Sequence, residues 1–265
     1  SVARRLALLS LTGLALVLVL VAVAIALIEW RSMYDLMVKS VEDRLQAIVA
    51  VADATERTNR QLTMVSYTKF RREFDPAPGY NKDTGEVLSF GVPVNNDFSA
   101  VDKFNRDTDG VATVFARKGD DFERVSTSLK KQDGNRAMGA LLDRNHPAYP
   151  LILASQTYTG PAVLFGKSYM THYDPIKDSN GQVIGIFFIG MDIQVQQAAL
   201  AKQINETRFF ETGGVYMIEV KDQAPSARFT VHASAQGKTV LDTEPRAEAF
   251  ITALISQRTG HVPNA

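Results

Sequence analysis

At 265 residues and 45 % hydrophobic content the chain can build one large domain or two small ones with a substantial core, and low-complexity disorder is excluded. Its 29 basic residues balance 29 acidic ones, so no global field exists to hold a nucleic-acid backbone, and nucleic acid is set aside as a partner. Cysteine is absent, which removes thiolate metal sites, thiol nucleophiles and disulfides and leaves stability to packing.

The first element is an uncharged run, LALLSLTGLALVLVLVAVAIALI, from Leu6 to Ile28. At about 1.5 Å per residue a helix of this length spans the roughly 30 Å hydrocarbon core of a bilayer. Ala22-Val23-Ala24 resembles a signal-peptidase site, but the run exceeds the roughly 7–15 residues of a signal h-region, so an uncleaved anchor over 6–28 is expected. Arg4 and Arg5 precede it, placing residues 1–5 in the cytoplasm and everything after about residue 29 outside.

From Met33, apolar positions Met37, Val41, Leu45, Ile48 and Ala52 recur every three or four residues, predicting a long amphipathic helix over 29–75. The polar stretch Asp53 to Gln61 interrupts its stripe before Leu62 and Val65 resume it. The apolar side needs cover from the following domain, from a second copy of the helix, or from both.

FDPAPGYNKDTGE (Phe74 to Glu86) reads as a loop that opens a globular module over 76–194. Strands are predicted at 87–94, 110–117, 122–129, 162–176 and 182–193, with a helical segment at 146–156 and a connecting helix over 195–207. This order describes an antiparallel sheet flanked by helices, a PAS-like α+β module.

Part of the pattern then repeats. GVATVFARKGDDFERVSTS, GALLD and YPLILASQTYTG correspond by residue class to GVYMIEVKDQAPSARFTVHAS, KTVLD and FITALISQRTG, closing at Thr259-Gly260. A second module over 208–265 is expected, incomplete because three strands follow the same position in the first copy.

The catalytic motifs do not hold. Ser128 and Lys131 form S-x-x-K, but neither S-D-N nor K-T-G accompanies them, and on a strand the two would face apart. NRDTDG (Asn105 to Gly110) starts like a calcium loop, yet Ala116 stands where the bidentate carboxylate belongs, so a strand-entry turn is expected. His146, His172, His232 and His261 are scattered singly, so no metal site is expected, and no enzyme motif appears.

Strand alternation instead groups Arg124, Ser126 and Ser128, and separately Lys167, Tyr169, Thr171 and Tyr173. A guanidinium with hydroxyls suits a small carboxylate, and tyrosines close an apolar wall with polar tips. A solvated outer sheet face would carry the same pattern. Tyr149 joins the candidate set, as does Asp192, which could meet a ligand amine or cap the helix beginning near Gln194.

The run from GVATVFARKGDD through GKSYMTHYDPIKDSNGQVIGIFFIGMDI resembles the extracytoplasmic Cache sensor of bacterial methyl-accepting chemotaxis proteins, in the tandem form called the Cache 3/Cache 2 fusion. The resemblance implies a receptor in the bacterial inner membrane whose periplasmic modules bind a small metabolite, with no cofactor. It implies a homodimer through the long helix and cytoplasmic signalling partners reached through a missing C-terminal region. It also places Asp192, in GMDI, where an aspartate contacts the ligand amine, and sets Tyr169 and Tyr173 among pocket aromatics. Similar sensors feed histidine kinases and diguanylate cyclases. The residues alone leave open a membrane-anchored module that binds a periplasmic protein.

Overall fold

The computed structural model describes residues 2–211, 213–220 and 223–257, with side chains described for all of these except 2–10 and 12. The side chains of Arg4 and Arg5, and the residues Thr259, Gly260 and His261, which carried sequence expectations, lie outside that description. The chain divides into two units, Ser1–Ala52 with Arg208–Gly214, and Asp53–Thr207 with Val215–Ala265.

One helix, α1, runs unbroken over Val2–Arg71, so the polar stretch from Asp53 interrupts the apolar stripe and not the backbone. No proline or glycine falls between Gly13 and Arg71 to stop it. In the first unit its apolar part carries an 18-residue window of mean hydropathy 2.6, none of it buried. The first unit also holds a short hairpin of β9 (Arg208–Phe209) and β10 (Gly213–Gly214), which follows in the chain after the elements below.

The second unit is α+β. A small antiparallel sheet comprises β1 (Gly79–Asn81), β2 (Glu86–Ser89) and β3 (Val92–Pro93), so the strand expected at 87–94 is split by a tight turn at Phe90-Gly91. Helix α2 (Ser99–Thr108) follows, an element the sequence reading missed. Its C-cap Asp109 adopts a left-handed conformation, so the calcium-like string is a helix end and not a plain strand-entry turn.

The main sheet has five antiparallel strands in the order β5-β4-β8-β7-β6: β4 (Val111–Lys118), β5 (Asp121–Thr127), β6 (Tyr158–Leu164), β7 (Lys167–Lys177) and β8 (Val183–Asp192). Helix α3 (Ala148–Leu153) lies between β5 and β6 in the chain, and α4 (Gln194–Glu206) follows β8. The stretch read as one strand at 162–176 is a hairpin that turns at Phe165-Gly166 and carries β6 further upstream. β8 is a near-continuous apolar run because both its faces are covered. Gly185 in β8 has no room for a side chain, since a Cβ there would stand 2.3 Å from the Phe115 carbonyl oxygen.

One core lies between the end of α1, α2 and one sheet face, with Phe70, Phe74, Phe104 and Phe187 at its centre. Phe70 meets Phe104 edge-on at 5.4 Å and Phe74 at 5.1 Å, so the last turns of α1 are anchored by aromatic packing. The opposite sheet face packs Phe115, Phe122, Tyr149, Ile152, Tyr173 and Phe188 beneath α3. The two outer strands end the sheet differently. The segment 137–142 runs beside β5, joined by Arg124 N–H to the Ala140 carbonyl and Leu142 N–H to the Phe122 carbonyl, whereas β6 carries Pro161 within its ladder.

After α4, β11 (Met217–Glu219) pairs antiparallel with β12 (Arg228–Val231), and α5 (Val240–Thr243) and α6 (Glu248–Gln257) follow. These two strands and two helices enclose a small core of Ala227, Phe229, Val240 and Ile251.

Candidate functional site

A β-bulge decides which residues face which way. β4 and β5 pair Thr113 with Thr127 and Val114 with Ser126, but Phe115 with Arg124, so Val125 is the extra residue. Cross-strand partners share a face. Arg124 therefore joins Phe115 under α3, while Ser126 joins Val114 on the side of α1 and α2, where its hydroxyl donates to the Asp97 carbonyl. The strict alternation of Arg124, Ser126 and Ser128 is corrected: Thr127, bonded to Thr113 at 2.6 Å, takes the place expected for Ser126.

Ser128 lies beyond the strand, and its Oγ accepts the Ala112 N–H at 2.9 Å. Ser128, Lys131, Lys167, Tyr169 and Asp192 line one cleft of about 550 Å3 at the ends of β5, β7 and β8. Ser128 and Lys131 thus border a common cleft where the strand reading set them apart, because the strand stops at Thr127. Asp192 is exposed and its Oδ1 accepts the Gln194 N–H at 2.8 Å, an Asx turn just ahead of α4, whose N-cap position is Ile193. Tyr169 pairs with Asp192 across the ladder, and burial together with that carboxylate raises its phenol above the usual range.

Arg124 belongs elsewhere. It is 8 % exposed, its guanidinium carbon lies 5.2 Å from the Phe115 ring centre, and among the described residues its Nε has no hydrogen-bond partner. One terminal nitrogen donates weakly to the Ala137 carbonyl at 3.4 Å. Burial lowers its pKa to about 10, so the group is charged at neutral pH. Tyr173, facing the same side, is raised mainly by burial, with Arg124 pulling it down. Tyr173 packs on Phe188 at 4.7 Å, on the His146 ring at 5.1 Å and on Tyr158 at 6.0 Å.

The eight sequence candidates therefore do not form one wall. Along the ladder, Asp192 is six residues from Ile186, which pairs with Phe115 and so stands level with Arg124. At about 3.3 Å per residue that is ~20 Å, beyond the span of one small metabolite. Tyr149 is a structural member, its hydroxyl donating to the Asp120 carbonyl at 2.7 Å and its ring packing on Phe122. From the sequence His146 is weighed only as a metal ligand, and Tyr158 cannot be assigned to a face. Their signal was local: His146 Nδ1 accepts the Ala148 N–H at the entry to α3, which fixes its ring against both tyrosines. Arg228, which the sequence pattern aligns with Arg124, is exposed.

The model of the Cache 3/Cache 2 fusion domain matches residues 31–264. Among curated proteins none matches. Several solved structures resemble the chain, among them the three that follow. The ligand-binding domain of the Campylobacter jejuni chemoreceptor Tlp3 in complex with L-valine is 12 % identical, with 77 % of this chain and 73 % of that one covered and a TM-score of 0.41. The Tlp3 sensory domain with isoleucine bound is 11 % identical, covering 85 % and 81 % with a TM-score of 0.43. The ligand-binding domain of the Pseudomonas aeruginosa PAO1 amino acid chemoreceptor PctC in complex with GABA is 14 % identical, covering 62 % and 64 % with a TM-score of 0.34.

Proposed function

Because the chain belongs to the Cache 3/Cache 2 fusion domain family, we propose that it is the extracytoplasmic sensor of a membrane-anchored chemoreceptor, and that its first module, residues 76–194, binds a small carboxylate at Arg124. The observation that carries this reading is the buried, charged guanidinium whose Nε has no partner among the described residues. An uncompensated buried charge is costly, and a carboxylate would supply both the counter-charge and the missing acceptor. The surrounding rings of Phe115, Tyr173 and Phe188 would take the short apolar remainder of such a ligand.

In this reading residues 6–28 cross the inner membrane, the residues after about 29 stand in the periplasm, and the chain pairs with a second copy through α1. Ligand capture favours one seating of the module against the helix, and the helix carries the difference to the span. The module acts as a receptor without catalysis. The output it feeds is chemotaxis; a histidine kinase or diguanylate cyclase downstream would use the same input.

A thermal-shift series on the chain in detergent, with acetate, propionate and L-valine, tests the proposal. The expected result is stabilisation by at least one carboxylate in the wild type and none in Arg124→Met. No stabilisation by any of the three, or equal stabilisation of the variant, overturns it.

A second reading rests on the cleft of about 550 Å3, where Lys167 and Asp192 flank Tyr169 with opposite charges suited to an amino acid. In that case L-valine is the active compound and Asp192→Asn, not Arg124→Met, removes its effect.

A further inference from the structure

β6 and β7 have two differently occupied faces. In their ladder Tyr158 pairs with Tyr173, and the next pair is Thr159 with His172. The tyrosines face the Arg124 side. Thr159 and His172, followed by Asp174, face α1.

On that second face the polar groups engage one stripe of α1. The Arg60 guanidinium donates to the Thr159 carbonyl, and the Tyr67 hydroxyl donates to Asp174. The Tyr67 ring lies 4.4 Å from the His172 ring, and His172 Nδ1 is hydrogen-bonded to Thr159 Oγ1 at 2.7 Å. Residues 60 and 67 are seven apart and so lie on one helix face. Thr63 and His172 are buried within this contact, Thr63 bonding back to the Asn59 carbonyl.

On the first face Tyr158 depends on a glycine. A Cβ at Gly160 would stand 2.2 Å from the Tyr158 hydroxyl and 2.6 Å from its ring, so the ring lies along the strand over a residue that must have no side chain. What shifts Tyr158 acts on the residue that Arg60 grips, because Thr159 is its neighbour in the chain.

We propose that Arg60, Tyr67, Thr159, His172 and Asp174 form a polar clamp through which the strand pair reports the state of its tyrosine face to α1. The clamp rests on the reading above only for what moves the tyrosines in the cell. Its two discrete parts, an aromatic pair on one side and a helix grip on the other, are joined by a single residue step along each strand.

The test needs no ligand. Amide hydrogen exchange is followed in the full chain in detergent for peptides covering 60–71 and, as an internal control, 228–231. Gly160→Ala, which forces Tyr158 aside, is expected to speed exchange at 60–71 by about threefold or more while the control stays unchanged. Tyr158→Ala/Gly160→Ala removes the clashing ring and is expected to bring the rate back towards wild type. Unchanged exchange at 60–71 in Gly160→Ala overturns the clamp. So does a rise shared by 228–231, or a double variant as fast as Gly160→Ala. Since no carboxylate is added, failure of the ligand reading leaves this outcome intact.

Discussion

Arg124 and Phe115 are cross-strand partners whose contact places a guanidinium carbon 5.2 Å from the ring centre, inside a core that among the described residues offers the Nε atom no acceptor. The aromatic face offsets only part of the charge's desolvation, an interaction of about 2 kcal/mol at most when buried. Arg124→Met keeps the volume and removes the charge. The variant is expected to be more stable than wild type without ligand, by about 1 kcal/mol or more, and to lose the roughly 2.7 kcal/mol that a ligand at a hundred times its Kd confers. Urea denaturation with and without propionate measures both.

Ser126→Ala separates the structure from the alternation pattern. The hydroxyl bonds the Asp97 carbonyl on the α2 side of the sheet, away from Arg124. Ligand affinity by calorimetry is expected to stay within about twofold of wild type, and stability to fall by about 1 kcal/mol, the net worth of one hydrogen bond.

Phe70 is 2 % exposed and packs on Phe74, Phe104 and Phe187. Phe70→Ala removes a fully buried ring and is expected to cost about 3–5 kcal/mol. Chemical unfolding followed by far-ultraviolet circular dichroism reads the change.

Burial holds the His172 imidazole below the usual histidine range, against the upward pull of Asp174. The groups facing it are Thr159 from β6, Tyr67 from α1 and Asp174 from β7, with Arg60 held on the Thr159 carbonyl. The unfolded chain therefore takes the proton first. This contribution is whole above about pH 6.5 and declines as pH falls below that value towards the folded pKa. Burial shifts His146 the same way, so His172→Gln is expected to flatten the fall between about pH 7.5 and 5.5 without abolishing it. Urea midpoints at the two pH values check this.

Much of the fold was legible because its signals are local. The charge-free run, the β4, β5 and β8 stretches and the glycine turns state their own conformations. What escaped was set by tertiary contact. Helix α2 buries only Val101 and Phe104, too few apolar positions to show a period. The bulge at Val125 has no residue signature, since no glycine marks it, and is fixed by the Asn96 N–H bonding the Val125 carbonyl at 2.9 Å. That one residue moved Ser126 to the side of the sheet opposite Arg124, while the length of β8 parts Arg124 from Asp192. β7, free of a bulge across this stretch, kept Tyr169 and Tyr173 on the face expected of them.

Pro161 bears on the behaviour of the molecule among its neighbours. The Thr159 carbonyl turns outward to Arg60, and two residues on, Pro161 has the same orientation, so its missing N–H falls on the open side of β6. At the other margin the segment 137–142 already occupies β5. Neither margin presents an uninterrupted row of donors to a passing strand. The sheet is in this way protected from edge-to-edge pairing with a second copy of itself.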